Sequence, residues 1–204
     1  MKILKIYFSG RNSILLLIGL LLGTCVTSIA YPKSDDSVPA SLVGVHHLGP
    51  NYLIHRFFIN KSIGDNVSEG GGGGSMVCCI ALPRKWQPGS TVDVRWKVAH
   101  IIRSTNPTVQ ERAEIEGIYH AQVPIEQYEE PGDFYVHFFP NGRVRIVVSP
   151  IATDGQQHPV RWGDTYESQM ATQGRAVNAL FTPEESAERK RNADDSRKEY
   201  GGWR

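Results

Sequence analysis

Cysteine is scarce in this chain: there are three among 204 residues, and two of them are adjacent. That excludes a disulfide-dense secreted scaffold, and the spaced cysteine pairs of a structural zinc site are missing as well. Basic excess is also lacking. The formal charge is +1, and Lys2, Lys5 and Arg11 supply cations that the next acidic residue, Asp35, does not balance locally. Without those three the remainder carries −2, so the chain lacks the electrostatic footprint of a nucleic-acid binder or of a protein held by anionic lipid. No apolar run reaches the roughly 20 residues of an ordinary transmembrane helix. No G-x-S-x-G nucleophile elbow and no internal repeat are present. The glycine run Gly70, Gly71, Gly72, Gly73, Gly74 is followed by Ser75 and an apolar segment. A phosphate loop needs Lys-Ser/Thr opening a helix at that point, so the glycines are expected to be a strand connection.

What is present begins with an export signal. Lys2, Lys5 and Arg11 precede the apolar run Ile14–Leu22, and small or polar residues follow. This is the order of a secretory signal peptide. Two main processing routes are open. Ser28 and Ala30 fit a cut after Ala30, and Leu22-Gly23-Thr24-Cys25 fits a lipobox with Cys25 as the lipid-bearing residue. A retained short anchor is the third. The expected organisation is a signal peptide over 1–30, a tether over 31–40, a β domain over 41–150, and an irregular extension with a charged helix over 151–204. The mature protein is expected outside the cytoplasm, with membrane attachment only through a lipid on Cys25.

The β domain is legible as short alternating segments. Leu42–His47 and Tyr52–Asn60 are expected to form a first pair about Gly49-Pro50-Asn51. Met76–Leu82 is apolar on both faces and is expected to be a central strand covered on both sides. Thr91–Val98 alternates, with Val92, Val94, Trp96 and Val98 facing one way, and Glu114–Val123 does the same. Asp133–Phe139 and Arg143–Ser149 flank Asn141-Gly142, a hairpin signal. Seven strands in about 110 residues predict an all-β fold, a seven-stranded antiparallel sandwich or a partly open barrel. Thr182-Pro183-Glu184-Glu185 spells a helix start with a cap, Pro at the first helical position and Glu three residues after the cap. The helix it opens is polar nearly all round, which predicts an exposed helix or a fraying tail.

Constellations that could carry chemistry are thin. His46 and His47 must point to opposite faces of a strand, so at most one can join His55, and no metal site is expected. Asp133 and His137 share a strand face but stand two pleats apart, too far for a hydrogen bond. No catalytic residues and no cofactor are predicted. Cys78 and Cys79, being neighbours on a strand, are expected to be buried, unbridged thiols, the alternatives being an unusual vicinal disulfide or an intermolecular link. Tyr135, His137 and Phe139 make the second face of their strand bulky, which calls for a covering layer, the alternative being an apolar patch awaiting a partner.

The order VPASLVGVHHL, YLIHRFFIN, GGGGGSMVCCIALPRKWQPGSTVDVRW and VPIEQYEEPGDFYVHFFPNGRVRIVVS resembles a proteobacterial family of small exported proteins known as domain of unknown function 3304. The residues carrying the resemblance are Gly70 to Ser75, Cys78, Cys79, Pro83, Arg84, Trp86, Pro88, Gly89, Trp96, Tyr128, Pro131, Gly132 and Asp133, with Val136-His137-Phe138 after them. Thr24 departs from the usual lipobox. The resemblance implies that these residues are structural. Some relatives resemble immunity proteins encoded beside type VI secretion lipase effectors. For this chain that implies a non-catalytic periplasmic protein that binds and blocks a phospholipase effector. The alternative is a structural or adaptor envelope lipoprotein with no toxin partner.

Overall fold

A computed structural model describes residues 36–68, 77–106, 108, 110–161 and 166–200. The described chain is mostly β and forms two sheets, one of them a curled half-barrel, with a C-terminal helix. The seven expected strands are all present as β1 (Ser37–His46), β2 (Tyr52–Ile59), β4 (Val77–Pro83), β5 (Thr91–Ile102), β6 (Arg112–Pro124), β7 (Asp133–Phe139) and β8 (Arg143–Ser149). Three two-residue strands join them: β3 (Ser62–Ile63), β9 (Thr172–Gln173) and β10 (Arg175–Ala176). The helix α1 spans Pro183–Tyr200. Among the described residues no helix is long and apolar enough to cross a membrane.

One sheet has the order β4-β1-β7-β8-β9 and the other β10-β6-β5-β2-β3. The inward residues of both follow the period-2 patterns of the sequence. Val92, Val94, Trp96 and Val98 of β5 meet Phe134, Val136 and Phe138 of β7 and Val144, Ile146 and Val148 of β8 in one buried cluster. Trp96 is fully buried at its centre and stacks on Tyr119, ring centroids 5.4 Å apart. The β7–β8 hairpin turns through Asn141 (φ 61°) and Gly142 (φ 69°), the left-handed pair that Asn-Gly adopts most cheaply.

Several expectations are corrected. β1 and β2 do not pair, because Ala40 and Leu42 face Ile54, Phe57 and Ile59 across the core. The turn with Gly49 (φ 90°) and Asn51 (φ 65°) therefore carries the chain from one sheet to the other. β1 pairs instead with β7, in parallel, Leu42 opposite Phe134 and His46 opposite Phe138, so the fold is not purely antiparallel. Among the described residues β4 is an edge strand paired only to β1. Of its described side chains Leu82 turns inward and Ile80 does so in part, while Cys79 and Ala81 are exposed. Cys79 is also disulfide-bonded, so the expectation of a buried free thiol fails for it. The side chain of Cys78, and Gly70–Gly74 and Cys25 entirely, lie outside the described residues, as does the expected signal peptide.

The segment after Pro150 is more than an irregular extension. Residues 151–161 and 166–171 lie on the outer face of the first sheet, where Val160 and Ala171 pack on Val45, Tyr135, Phe139 and Val147. This is the covering layer that the bulky second face of β7 demanded. The chain then adds β9 to β8 and β10 to β6, bridging one sheet to the other. Gly174 stands between those two strands. A Cβ there would lie 2.5 Å from Cη2 of Trp96 and 2.8 Å from the Gly142 carbonyl oxygen, so only glycine lets the strap pass this close.

Candidate functional site

Two buried arginines fasten the strap. On the outer face of β5, Arg95 donates from Nη1 and Nη2 to both carboxylate oxygens of Glu185 (2.7 and 3.0 Å), from Nη1 to the Leu180 carbonyl (2.9 Å) and from Nε to Asp93 (2.8 Å). Charge-assisted bonds of this kind contribute about 1.5–3 kcal/mol each. The Arg95 bond holds Glu185 at about 2, far below an ordinary carboxylate, with the Thr182 backbone helping. Glu185 is also the third residue of the expected capping box: its N–H donates to Thr182 Oγ1 and its carboxylate accepts from Thr182 N–H. Arg189 lies over the rings of Phe58 and Phe181. The helix is exposed along most of its length, as expected, but its first turns are clamped to the sheet. On the other sheet, Arg145 donates to both oxygens of Glu126 (2.6 and 2.7 Å) and to Glu167 (2.7 Å).

A chain of three histidines lies beneath the cover. His47 Nε2 is 3.0 Å from His137 Nδ1, His137 Nε2 is 3.2 Å from His158 Nε2, and His158 Nδ1 is 2.6 Å from the Ile151 carbonyl oxygen. A carbonyl can only accept, so the proton of neutral His158 sits on Nδ1 and its Nε2 accepts. His137 must then donate from Nε2 and accept at Nδ1 from His47 Nε2–H. One carbonyl sets all three tautomers. His137 has no exposure, and burial first, then the neighbouring imidazoles and Arg145, hold it well below its ordinary 6.5. Burial also lowers His158, partly offset by the Ile151 bond. The two ring nitrogens of His137 face different partners, so the cluster is a relay and not a chelate. Among the described residues no group of three or more His, Cys, Asp or Glu could hold a metal ion.

A recess lies at one end of the sandwich. It has a volume of about 190 Å³ and is lined by Leu48, Tyr52, Val98, Glu116, Tyr119 and the Pro140–Gly142 turn. A β-bulge places Glu116 there: Val98 pairs with Gly117 and Ala99 with Ile115, leaving Glu116 as the extra residue. Bulges re-aim a side chain in this way. Tyr119 is fixed by Trp96 behind it and by Gly117 and Gly142, at each of which a Cβ would strike its ring. The lining offers one carboxylate, two phenol rings and no cationic side chain, a combination that suits a cationic group.

The residues singled out in the sequence fall elsewhere. Tyr128 Oη–H donates to the Pro83 carbonyl (2.6 Å) and Trp86 Nε1–H to the Ile125 carbonyl (2.9 Å), tying β4 and the loop after it to the β6–β7 connection. Trp96 is core. At Gly132 a Cβ would overlap the Ser149–Pro150 backbone, and Pro131 precedes this crossing. Asp133 opens β7 opposite Ser149. Its charge, after burial, raises the Tyr135 phenol. Asp133 does not bond His137, as its spacing required. His46 Nε2 meets the Ser68 carbonyl (2.9 Å), and His55 is exposed on the β2 bulge between Ile54 and Arg56. His158, Arg95, Arg145, Glu126, Glu167 and Glu185 were missed as a set. Two of them gave a signal, Arg95 as a cation on the polar face of β5 and Glu185 as the acidic residue of the capping box.

Residues 50–146 match the model of the family described as Protein of unknown function (DUF3304). No curated protein and no solved structure matches the chain.

Proposed function

Because the chain belongs to that family, whose description leaves its role open, we propose that it is a periplasmic immunity protein that acts by binding a phospholipase effector of a type VI secretion system and blocking it. The observation that carries a binding role is the recess at the end of the sandwich. Its walls are fixed before any ligand arrives, by the bulge at Glu116 and by the packing of Tyr119 on Trp96, Gly117 and Gly142. Preorganised walls lower the ordering cost of association. Glu116 between Tyr52 and Tyr119 suits a Lys or Arg side chain of a partner, through ion pairing and cation–π contact. The buried arginines support the same role, because their partners hold the strap to a rigid body. Export is supported by the basic–apolar–small order of residues 1–30. The lipase as partner rests on the family resemblance.

Production in the periplasm should protect cells from the lipase encoded next to this gene, and a form lacking residues 1–30 should not protect. Glu116→Lys should weaken binding by at least about tenfold while leaving the melting temperature unchanged, since Glu116 is exposed. If the neighbouring lipase is absent, or keeps its activity in the presence of purified protein, the immunity role fails and a structural or adaptor lipoprotein takes its place.

A further inference from the structure

The cover over the first sheet is thin. Between Ile151 and Arg161 only His158 and Val160 are buried. Local turns hold its backbone, with Gly155 N–H on the Ala152 carbonyl (2.9 Å) and His158 N–H on the Gly155 carbonyl (3.1 Å). At its root Ser149 Oγ accepts from Ile151 N–H (3.0 Å). What fastens the segment to the sheet beneath is therefore Val160 in the apolar cluster and His158 at the end of the imidazole relay.

That relay works only when its imidazoles are neutral. In the tautomers fixed by the Ile151 carbonyl, His158 Nε2 and His137 Nδ1 accept hydrogen bonds. A proton placed on His158 Nε2 turns that acceptor into a donor facing His137 Nε2–H, and a proton on His137 Nδ1 does the same against His47. Either event sets two donors 3.2 or 3.0 Å apart and buries a charge. The surroundings offer little to neutralise it. On β8, Arg145 adds positive charge, and its carboxylates Glu126 and Glu167 are already bonded to it. On β7, Tyr135 packs edge-on against His158, 4.7 Å between centroids. Asp133 on β7 and Asp154 on the cover act on the Tyr135 phenol, and neither contributes to holding a proton on His137 or His158.

We infer that residues 151–161 form an acid-released flap, latched by the His47–His137–His158 relay and opening by proton uptake to bare the face of Val45, Tyr135, Phe139 and Val147. The sign follows from linkage. Burial under the closed flap holds both His137 and His158 below 6.5, and opening relieves that burial, so the open form binds more protons. The latch is complete above pH 6.5 and weakens as the pH falls below it. One proton taken up raises the opening equilibrium by at most about tenfold between pH 7.5 and 5.5, and two raise it by at most about a hundredfold.

Amide hydrogen exchange of the full chain tests this, with rates corrected for intrinsic pH dependence and a peptide from β5 as internal reference. The opening equilibrium of a peptide covering 151–161 should rise by at least about threefold and at most about a hundredfold from pH 7.5 to 5.5 while the β5 peptide holds its protection. His158→Gln keeps a polar group at the latch and removes one titration, so it should cut that rise by at most about tenfold. A flap signal that changes less than threefold, or that rises in step with β5, overturns the inference. So does a His158→Gln chain whose flap retains the full pH dependence. Should His158→Gln fail to fold, the comparison of flap and β5 in the unaltered chain decides alone.

Discussion

Ending the chain at Pro150 removes the flap, β9, β10 and α1 together, and the structure sets the cost. Val45 (2% exposed), Tyr135 (5%), Phe139 (0%) and Val147 (2%) would lose their cover. Exposing a buried side chain of this size costs about 1.5–3 kcal/mol, so four cost about 6–12. A denatured chain that already buries part of its apolar surface brings this to about 4–8 kcal/mol. Arg95 and Arg145, both nearly buried, would also lose Glu185, the Leu180 carbonyl and Glu167. A single domain commonly has about 5–15 kcal/mol in total. The truncated protein is therefore expected to be insoluble, or to melt at least about 10 °C below the full chain. A chain ended at Asp194 serves as the control. It loses only the distal part of α1, including the exposed Asp195–Lys198 pair, and should melt within about 2 °C of the full chain. Calorimetry or circular dichroism reads both. If the Pro150 truncation melts within about 5 °C of the full chain, the strap is not integral to the fold and its energetics are wrongly assigned.

Three further outcomes follow from particular residues. Gly132→Ala should lower stability by about 1–3 kcal/mol or more in urea unfolding, because the overlap is with the Ser149–Pro150 backbone and not with a side chain that can turn away. Gly89→Ala, in open space at φ 79°, should cost only about 1 kcal/mol. The attachment of α1 should be constant above pH 4.5, the ordinary value for Glu185, and should be lost progressively as the pH falls toward about 2. Fluorescence of a probe on α1 would show it, and Glu185→Gln should abolish that acid transition. Finally, Cys79 in unreduced native protein should resist alkylation despite its exposure and should react once a reductant is added, as peptide mass mapping would record. Ready labelling without reductant would contradict the disulfide.

The strands were legible because their marks, one-sided alternation in β5 and a turn between two apolar runs in β7 and β8, are local. Asp133–Phe139 and Arg143–Ser149 matched their predicted bounds, and the Asn141-Gly142 turn between them reads directly from chemistry that only those residues satisfy. The capping box of α1 was equally local, three residues with reciprocal bonds. Pairing was not legible. Val38–His46 carries no mark that selects β7 in parallel over β2 in antiparallel, since either arrangement buries the same apolar face. The all-apolar look of Met76–Leu82 misled for a related reason. Small residues such as Ala81 and Cys79 are tolerated on an exposed edge as well as in a core, so composition could not tell an edge strand from a central one.

By itself, then, the sequence determined the fold class, the number of long strands, the position of the helix and the need for something to cover the second face of β7. Each of these rests on neighbours a few residues apart. Which segment met that need, and what the buried polar groups are for, was decided only by tertiary structure. His47, His137 and His158 lie 90 and 21 residues apart along the relay, and Arg95 finds Glu185 across 90 residues. No periodicity links such positions. They become partners because the chain doubles back after Pro150, lays a thin cover on one sheet, threads past Trp96 at Gly174 and clamps its helix to the other. A buried imidazole or guanidinium needs a hydrogen-bonding partner, but the partner can come from anywhere the folded chain passes.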